Sequence, residues 1–232
     1  MKKTLKDIAS DAASIFKTNW SRRKGQVVPI SDSVQLGNEA VEIEAAVLYA
    51  DLASSTALVL GHKDYFAAEV IKSFLLASCN VIRNNSGEIV SFDGDRVMAV
   101  FIGDKKCSNA AKAGLQITSA IREVNKSLKD FYSSTSYIID YAIGIDVSDL
   151  FIIRTGIRGS NDLSWVGTAA NIAAKLSELR GRSEKVFVTD KVYKRMADSS
   201  KYGGKNNECM WSDLNLNIRG NKIYGSEWYW NF

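Results

Sequence analysis

Two aspartates each lie where a strand-like apolar run meets a polar turn, and this pattern constrains the fold more than any other feature of the chain. Asp51 ends the run 46–50 and is followed by a short polar loop. Asp95 lies between the runs 89–92 and 97–101, after an Asp-Gly pair that favours a hairpin corner because both positions tolerate positive φ. If these strands pair side by side, the two carboxylates converge at one edge of a sheet. Converging carboxylates repel each other unless a cation lies between them, and Mg²⁺ with a triphosphate is the usual solution.

Composition excludes several classes of protein. The 232 residues are 46% hydrophobic and 24% charged, with a net charge of +4 carried by scattered basic residues, so we expect a globular protein that does not bind nucleic acid. Cys79, Cys107 and Cys209 are far apart and have no metal-ligand spacing, and His62 is the only histidine, which argues against a zinc or Ser-His-Asp mechanism. No uninterrupted apolar run approaches the roughly 20 residues of a membrane span. We therefore expect a cytoplasmic protein that does not bind membranes.

The first 40 residues differ in pattern from the rest. Apolar residues at helical spacing predict an amphipathic helix over about 4–20, and the only proline lies in the linker that follows. The basic cluster 22–24 is interpreted as a solvated face, with phosphate contact as the alternative. We accordingly divide the chain into an N-terminal helix and linker, 1–40, and a main domain, 41–232.

The main domain shows an alternation of strand-like and helical segments. The predicted elements are strand 43–50, helix 63–84, strands 87–92 and 95–102, helix 105–130, strands 137–146 and 150–158, helix 168–180, strand 185–189, helix 190–197, and strands 209–214 and 222–230. This order predicts an α+β fold: a ferredoxin-like β-α-β-β-α-β core with C-terminal additions and an N-terminal helix. In that core the first strand is central and lies beside the hairpin.

The loop after Asp51 offers an anion site. Ala53, Ser54, Ser55 and Thr56 are small, so successive backbone N–H groups could turn toward phosphate, and the threonine adds a hydroxyl. The alternative is an ordinary helix N-cap.

A third segment pairs an amide with a cation. Gly167 precedes a predicted helix on which Asn171 and Lys175 are four residues apart and share one face. Both side chains could serve a site or could simply be solvated.

Four blocks together carry a family resemblance. Residues 49–51, 92–101, 142–146 and 167–176 resemble, in order and spacing, the signatures of class III nucleotidyl cyclases. The resemblance implies the cyclase homology domain and a homodimer with active sites at the subunit interface. It further implies two Mg²⁺ or Mn²⁺ ions per site, held by Asp51, Leu52 and Asp95 of one subunit.

The same resemblance assigns the remaining roles. The ribose 3′-hydroxyl would attack the α-phosphate and diphosphate would leave. Asn171 of the other subunit would orient the ribose, and Lys175 occupies the place of an arginine that stabilises the transition state. The loop 53–56 and Arg219 would meet the phosphates, with Lys222 as the other candidate for the outer ones.

Departures from the family pattern concern the base. Ser91 and Ser164 stand where adenylate cyclases have a lysine and an aspartate that read the purine, and Tyr49 replaces a common phenylalanine. This combination resembles the pyrimidine cyclases of bacterial Pycsar anti-phage systems, whose cyclic nucleotide activates a separate effector. We expect UTP to be converted to 3′,5′-cyclic UMP. Cyclic CMP production is the first alternative, because hydroxyls both donate and accept. The others are an adenylate cyclase and a silent module that only binds nucleotide or dimerises.

Overall fold

The computed structural model describes residues 2–231. Two compact units are present: the smaller comprises the chain up to Glu44 together with Asp149–Gly167, and the larger comprises Ala45–Ser148 and the chain from Thr168 onward. The division after residue 40 made from the sequence stays a prediction, because a compact unit need not fold independently.

The described residues form six α-helices and eleven strands. The helices are α1 (Leu5–Lys17), α2 (Ser55–Gly61), α3 (Asp64–Asn84), α4 (Lys106–Phe131), α5 (Thr168–Leu176) and α6 (Asp190–Arg195). The strands are β1 (Ser21–Lys24), β2 (Glu39–Leu52), β3 (Glu88–Asp93), β4 (Arg96–Phe101), β5 (Tyr141–Ile157), β6 (Ser160–Val166), β7 (Val186–Thr189), β8 (Tyr202–Gly203), β9 (Glu208–Cys209), β10 (Ser212–Ile218) and β11 (Asn221–Ser226).

The larger unit is built on one sheet whose strands follow the order β10-β11-β7-β5-β2-β4-β3. Its segment β2-α3-β3-β4-α4-β5 has the spatial order β5-β2-β4-β3, so the predicted ferredoxin-like α+β core is confirmed and β2 is central beside β4. The C-terminal additions widen the sheet, because β7 pairs with β5 in parallel and β11 pairs antiparallel with β7. In the smaller unit, β1 pairs with β2 and β6 pairs with β5.

The core of the larger unit lies between the sheet and the helices α3 and α4. Helix α3 buries apolar side chains from Phe66 to Ile82, with Phe74 fully enclosed. Helix α4 likewise buries apolar side chains from Ala110 to Ile121. By length and composition alone α3 could also cross a membrane, but a core helix passes the same test, and seven of its residues are buried here.

Gly144 lets α5 approach the sheet closely. A Cβ atom at this position of β5 would lie 2.1 Å from the backbone oxygen of Ala173 and 2.6 Å from the Cβ of Leu176. No side chain other than hydrogen fits such a gap. The glycine therefore fixes the position of the helix that carries Asn171 and Lys175.

Several elements differ from the sequence prediction. The strands predicted at 137–146 and 150–158 are one continuous strand, β5, which pairs with β7 over 143–145 and with β6 over 151–157. Strand β6 was not predicted, since its sequence is mostly polar. The predicted helix 168–180 is shorter: α5 ends at Leu176, and the N–H groups of Glu178 and Leu179 bond to carbonyls three residues back rather than four.

The C-terminal aromatic residues were also placed wrongly. Strand β11 ends at Ser226, so Trp228, Tyr229 and Trp230 do not alternate on a strand. The N–H of Trp230 bonds to the carbonyl of Leu115, and both tryptophans pack on the core. Hydrophobic packing, not sheet pairing, holds this segment.

The N-terminal predictions are confirmed in part. Helix α1 forms as expected, with Thr4 and Asp7 in a capping box, while the basic cluster 22–24 lies on β1 rather than in a linker. Its three side chains form ion pairs with Glu39 and Glu42 of β2. These exposed pairs support the solvated-face interpretation.

Candidate active site

Strand pairing in the larger unit brings Asp51 and Asp95 to one place. Asp51 lies opposite Arg96 in the β2–β4 ladder, and Asp95 immediately precedes that arginine. Both aspartates line one cavity of about 470 Å³. The convergence expected from the sequence is therefore present in the structure.

The hairpin corner differs by one residue from the expectation. Asp93 pairs with Arg96, so the two turn residues are Gly94 and Asp95 rather than Asp93 and Gly94. Only Gly94 has positive φ, +62°, and a glycine at the first corner position is typical of a type II′ turn. Asp95 itself is consequently a corner residue.

The cavity is acidic, although not uniformly so. Four carboxylates line it, together with two guanidinium groups, those of Arg96 and Arg180. Arg180 donates from Nη2 to Oδ2 of Asp51 at 2.8 Å. Burial raises the pKa of Asp51, Asp95 adds to this, and Arg180 acts in the opposite direction. The excess of negative charge suits a cation.

The donor atoms fit magnesium or manganese. One carboxylate oxygen of Asp95 is shielded from solvent and accepts no hydrogen bond from any residue between 2 and 231. Such an orphaned oxygen is costly unless a ligand completes it. The buried side chain of Leu52 has no atom that could bind a metal, so its backbone carbonyl is the third candidate donor. Within the described chain no cluster of three or more His, Cys, Asp or Glu side chains could hold a metal ion. Magnesium commonly uses one or two carboxylates with waters and substrate phosphates.

The predicted phosphate loop is partly available. Ser54, Ser55 and Thr56 line the cavity, whereas the N–H of Ala53 already bonds to the carbonyl of Asp140 at 2.8 Å. Ser54 is the N-cap position of α2, but its side chain makes no capping hydrogen bond. The capping interpretation therefore gains no support, and the first N–H groups of α2 are left for another acceptor.

Two of the predicted base-pocket residues share one face of the sheet with Asp51. Tyr49 and Ser91 both lie opposite Met98, and directly opposed residues of neighbouring strands project to the same face. The guanidinium of Arg96 lies 5.5 Å from the centre of the Tyr49 ring. Burial raises the pKa of Tyr49, which keeps its hydroxyl a proton donor.

The third base-pocket residue belongs to the smaller unit. Ser164 lies on β6, opposite Ile153, and its hydroxyl is 2.8 Å from that of Thr155.

Asn171 and Arg219 line a second cavity, of about 280 Å³, which also includes Lys191. Lys175 lies one turn further along α5 and is exposed.

Of the two candidates for the outer phosphates, Lys222 is already paired with Asp213 at 2.6 Å, while Arg219 lines the second cavity. Asn171 and Arg219 do not line the cavity of Asp51 and Asp95 in the described part of the chain.

Sequence reasoning missed the residues that follow α5. Oε1 of Glu178 lies 3.4 Å from Nη1 of Arg96, and Arg180 donates to Asp51. The segment after α5 therefore also lines the cavity of the two aspartates. A charged run directly after the fourth signature block was the available signal, but its position depends on where α5 ends.

Another groove, of about 530 Å³ and lined by residues of α3 and α4, is mainly apolar, and neither Asp51 nor Asp95 lines it.

Relatives match nearly the whole chain. A protein of Xanthomonas perforans named uridylate cyclase is 42% identical over 230 residues, 97% of this chain and 98% of that protein. Another protein named uridylate cyclase, from Burkholderia cepacia, is 38% identical over 226 residues, 97% of each chain. No protein-family model matches the sequence.

Solved structures show the same fold at lower identity. The guanylyl cyclase Cya2 superposes with a TM-score of 0.67 at 16% identity, over 80% of this chain and 91% of its own. The adenylyl cyclase CyaB of P. aeruginosa superposes with a TM-score of 0.62 at 19% identity, over 81% of this chain and 95% of its own. A guanylyl cyclase domain from Blastocladiella emersonii, described as dimeric, has a TM-score of 0.61 at 16% identity, over 80% of this chain and 97% of its own. At these identities the likeness shows the fold alone.

The relatives and the fold agree with the arrangement of the site. Two uridylate cyclases match nearly end to end, and structures of cyclases share the sheet on which the aspartates converge. This chain is therefore a nucleotidyl cyclase, and it belongs to the class III cyclase family that includes the proteins named uridylate cyclase.

Proposed function

We propose that this enzyme converts UTP to 3′,5′-cyclic UMP and diphosphate in a homodimer. The observation that carries the proposal is the convergence of Asp51 and Asp95 in a chain whose near full-length relatives are named uridylate cyclase. In the reaction, the 3′-oxygen of the ribose forms a bond to the α-phosphorus, the bond from that phosphorus to the β-phosphate oxygen breaks, and the hydroxyl proton is released.

Asp51 and Asp95, with the carbonyl of Leu52, would hold the ions. Two Mg²⁺ or Mn²⁺ ions bound there would lower the pKa of the 3′-hydroxyl and neutralise the charge that grows on the phosphoryl oxygens. Ser54, Ser55 and Thr56 line the same cavity and are suited to bind phosphate oxygens through N–H and hydroxyl groups.

The remaining groups would come from the other subunit. Asn171 and Arg219 line a different cavity of the same chain, so a complete site needs a second copy to supply them. Asn171 would orient the ribose and Arg219 the outer phosphates. Lys175 would place a positive charge on the transition state, without the bidentate fork of an arginine. The dimeric guanylyl cyclase domain of the same fold is consistent with this assembly.

Base selection is assigned to Tyr49, Ser91 and Ser164. Tyr49 and Ser91 flank Met98 on the face that carries Asp51, so one long and one short hydroxyl side chain would border a base bound there. Hydrogen bonding discriminates strongly between bases because an unpaired buried group is costly. The names of the relatives favour uracil over cytosine, which the hydroxyls alone do not separate.

We also propose a cellular role from the resemblance to Pycsar cyclases. The product would be a cytoplasmic signal in anti-phage defence, sensed by a separate effector. A test is phage challenge of cells that express the wild type or Asp95→Ala, with cyclic UMP measured after infection. Protection and cyclic UMP that both require Asp95 would support the role, and protection by the variant would contradict it.

The activity itself is tested with purified protein. ATP, GTP, CTP and UTP are incubated separately with Mn²⁺, and cyclic products are identified by mass and by comparison with 3′,5′-cyclic standards, with Asp95→Ala as the control. We expect cyclic UMP, absent in the control. Cyclic CMP alone would move the base assignment to cytosine, and cyclic AMP alone would contradict the pocket argument.

A further inference from the structure

Arg180 contacts one of the two carboxylates that are proposed to bind metal. Its Nη2 donates to Oδ2 of Asp51 at 2.8 Å, while its Nη1 donates to the carbonyl oxygens of Ser177 and Leu179, the latter at 3.1 Å. The guanidinium thus bridges the end of α5 and a carboxylate proposed to bind metal. None of the roles assigned above uses this residue.

The contact offsets the repulsion between two neighbouring carboxylates. Asp51 is half-buried and lines one cavity together with Asp95. A guanidinium on Asp51 compensates part of this repulsion in the absence of metal. One oxygen of Asp95 has no hydrogen-bond partner among the described residues.

Arg180 is also suited to release Asp51. About a third of its side chain is exposed, so the guanidinium is not locked by packing. It lines the same cavity as Ser54, Ser55 and Thr56, where the triphosphate is proposed to lie. Arg96, the other arginine there, is held by Asp93 at 3.2 Å and by Glu178 at 3.4 Å. A guanidinium fork matches phosphate oxygens as well as carboxylate oxygens.

We propose that Arg180 couples metal binding to nucleotide binding: it holds Asp51 while the site is empty and transfers to the triphosphate when the metal–nucleotide complex enters. The proposal rests on the metal site of the proposed function. It makes Arg180 a nucleotide-binding residue whose charge opposes metal that arrives alone.

The coupling is measured as Mn²⁺ affinity, by electron paramagnetic resonance of free Mn²⁺, with and without 2′,3′-dideoxy-UTP. This nucleotide lacks the 3′-hydroxyl and cannot cyclise, so the readout is independent of turnover. For Arg180→Gln we expect Mn²⁺ alone to bind about fivefold tighter or more, and the gain in affinity caused by the nucleotide to shrink by a similar factor. Unchanged or weaker binding of Mn²⁺ alone would overturn the proposal.

Two further variants make the result specific. Arg182→Gln removes a nearby arginine that pairs with Glu184 at 3.2 Å instead of Asp51, and it should behave as the wild type. An equal effect there would contradict the proposal, because it would reflect overall charge. Arg180→Lys keeps the charge without the fork; it should leave binding of Mn²⁺ alone near the wild-type value and still reduce the nucleotide effect. This variant serves as the test if Arg180→Gln does not fold.

Failure of the metal site itself is recognised separately. Asp95→Asn should weaken Mn²⁺ binding in the wild type and in Arg180→Gln. If it does not, the metal site proposed at Asp51 and Asp95 is wrong. If it does, while Arg180→Gln leaves Mn²⁺ affinity unchanged, only the role of Arg180 is refuted.

Discussion

Three aspartates of this chain differ in what satisfies their carboxylates. Asp51 has an arginine partner, and Asp95 has one oxygen with no partner among the described residues. Asp146 is fully buried; its Oδ1 accepts from Thr189, and its Oδ2 has no partner among those residues. A partnered carboxylate adds to stability, whereas an unpartnered buried oxygen costs about 1–3 kcal/mol. Asp95 is therefore the residue for which function and stability are expected to conflict.

Replacing Asp95 with alanine should abolish cyclisation without unfolding the protein. Because the orphaned oxygen is removed, the free energy of unfolding in metal-free buffer should stay the same or rise by up to about 1 kcal/mol. Urea unfolding and the cyclase assay check both parts. As a contrast, Thr189→Val removes the hydroxyl that donates to Asp146 at 2.6 Å and should cost about 1–3 kcal/mol. An active Asp95→Ala enzyme, or one destabilised as much as Thr189→Val, would contradict this account.

Asp146 should make stability depend on pH. Burial raises its pKa, and the hydrogen bond from Thr189 opposes this only in part. Since the folded-state pKa lies above the unfolded value, the contribution to stability is fully present below the unfolded pKa and is lost as pH rises through the folded pKa. Asp146→Asn removes this titration and keeps an oxygen for Thr189. The difference in unfolding free energy, variant minus wild type, should increase from pH 4 to pH 7; a constant difference would refute the prediction.

At the scale of elements, the position of α5 depends on one glycine. A Cβ atom on residue 144 would lie only 2.1 Å from the backbone oxygen of Ala173. The helix therefore cannot keep its place if Gly144 is replaced by a larger residue. Moving α5 displaces Asn171 and Lys175 at its exposed face, together with the segment that brings Arg180 to Asp51.

Gly144→Ala should destabilise the protein by about 1–3 kcal/mol or more, because the added methyl group overpacks against backbone. Cyclase activity should fall further than the loss of folded protein explains. Gly61→Ala is the matched control, since a Cβ there meets nothing within 4 Å, and it should be neutral in both assays. Thermal unfolding and activity per folded protein measure the two effects. A neutral Gly144→Ala would show that α5 is not fixed in this way.

The sequence predicts the elements that bury apolar residues with a clear period. Helices α3 and α4 and the order of the ferredoxin-like core follow from such periods, and they are confirmed. Strand β6 and the end of α5 were not predicted, because polar strand residues carry no burial signal and a helix end is decided by local hydrogen bonds. The hairpin turn was misplaced by one residue. The segment 93–95 offers two corners, Asp93-Gly94 and Gly94-Asp95, and the structure has the second.

The site was predictable only where signature residues lie on regular strands. The convergence of Asp51 and Asp95 follows from strand order, and the structure contains it. The contacts of Glu178 and Arg180 with this site arise from an irregular segment after α5, for which no periodic pattern exists. The roles of all the predicted site residues, those of Asp51 and Asp95 included, stay predictions.

At the scale of the whole molecule, catalysis is proposed to need two copies of the chain. The two sets of predicted residues line separate cavities in one copy, so each active site would combine both sets across an interface. Inactive variants with defects in different sets should then complement each other.

A mixture of Asp95→Asn and Asn171→Ala proteins should regain activity after subunit exchange. Half of the dimers formed would be mixed, and each would hold one intact site, which gives about a quarter of wild-type activity. Asp95→Asn mixed with Asp51→Asn should stay inactive, because both defects fall in the same half of the site. Cyclase assays on the mixtures decide the point, and no gain over the separate variants would contradict the shared site.

The central claim, a cyclase that selects UTP, is tested most directly by competition. An equimolar mixture of ATP, GTP, CTP and UTP is given to the enzyme with Mn²⁺, and all cyclic nucleotides are quantified by mass spectrometry at low conversion. Product ratios then report the ratios of kcat/KM. The account predicts cyclic UMP as the dominant product. A dominant cyclic purine nucleotide would contradict it.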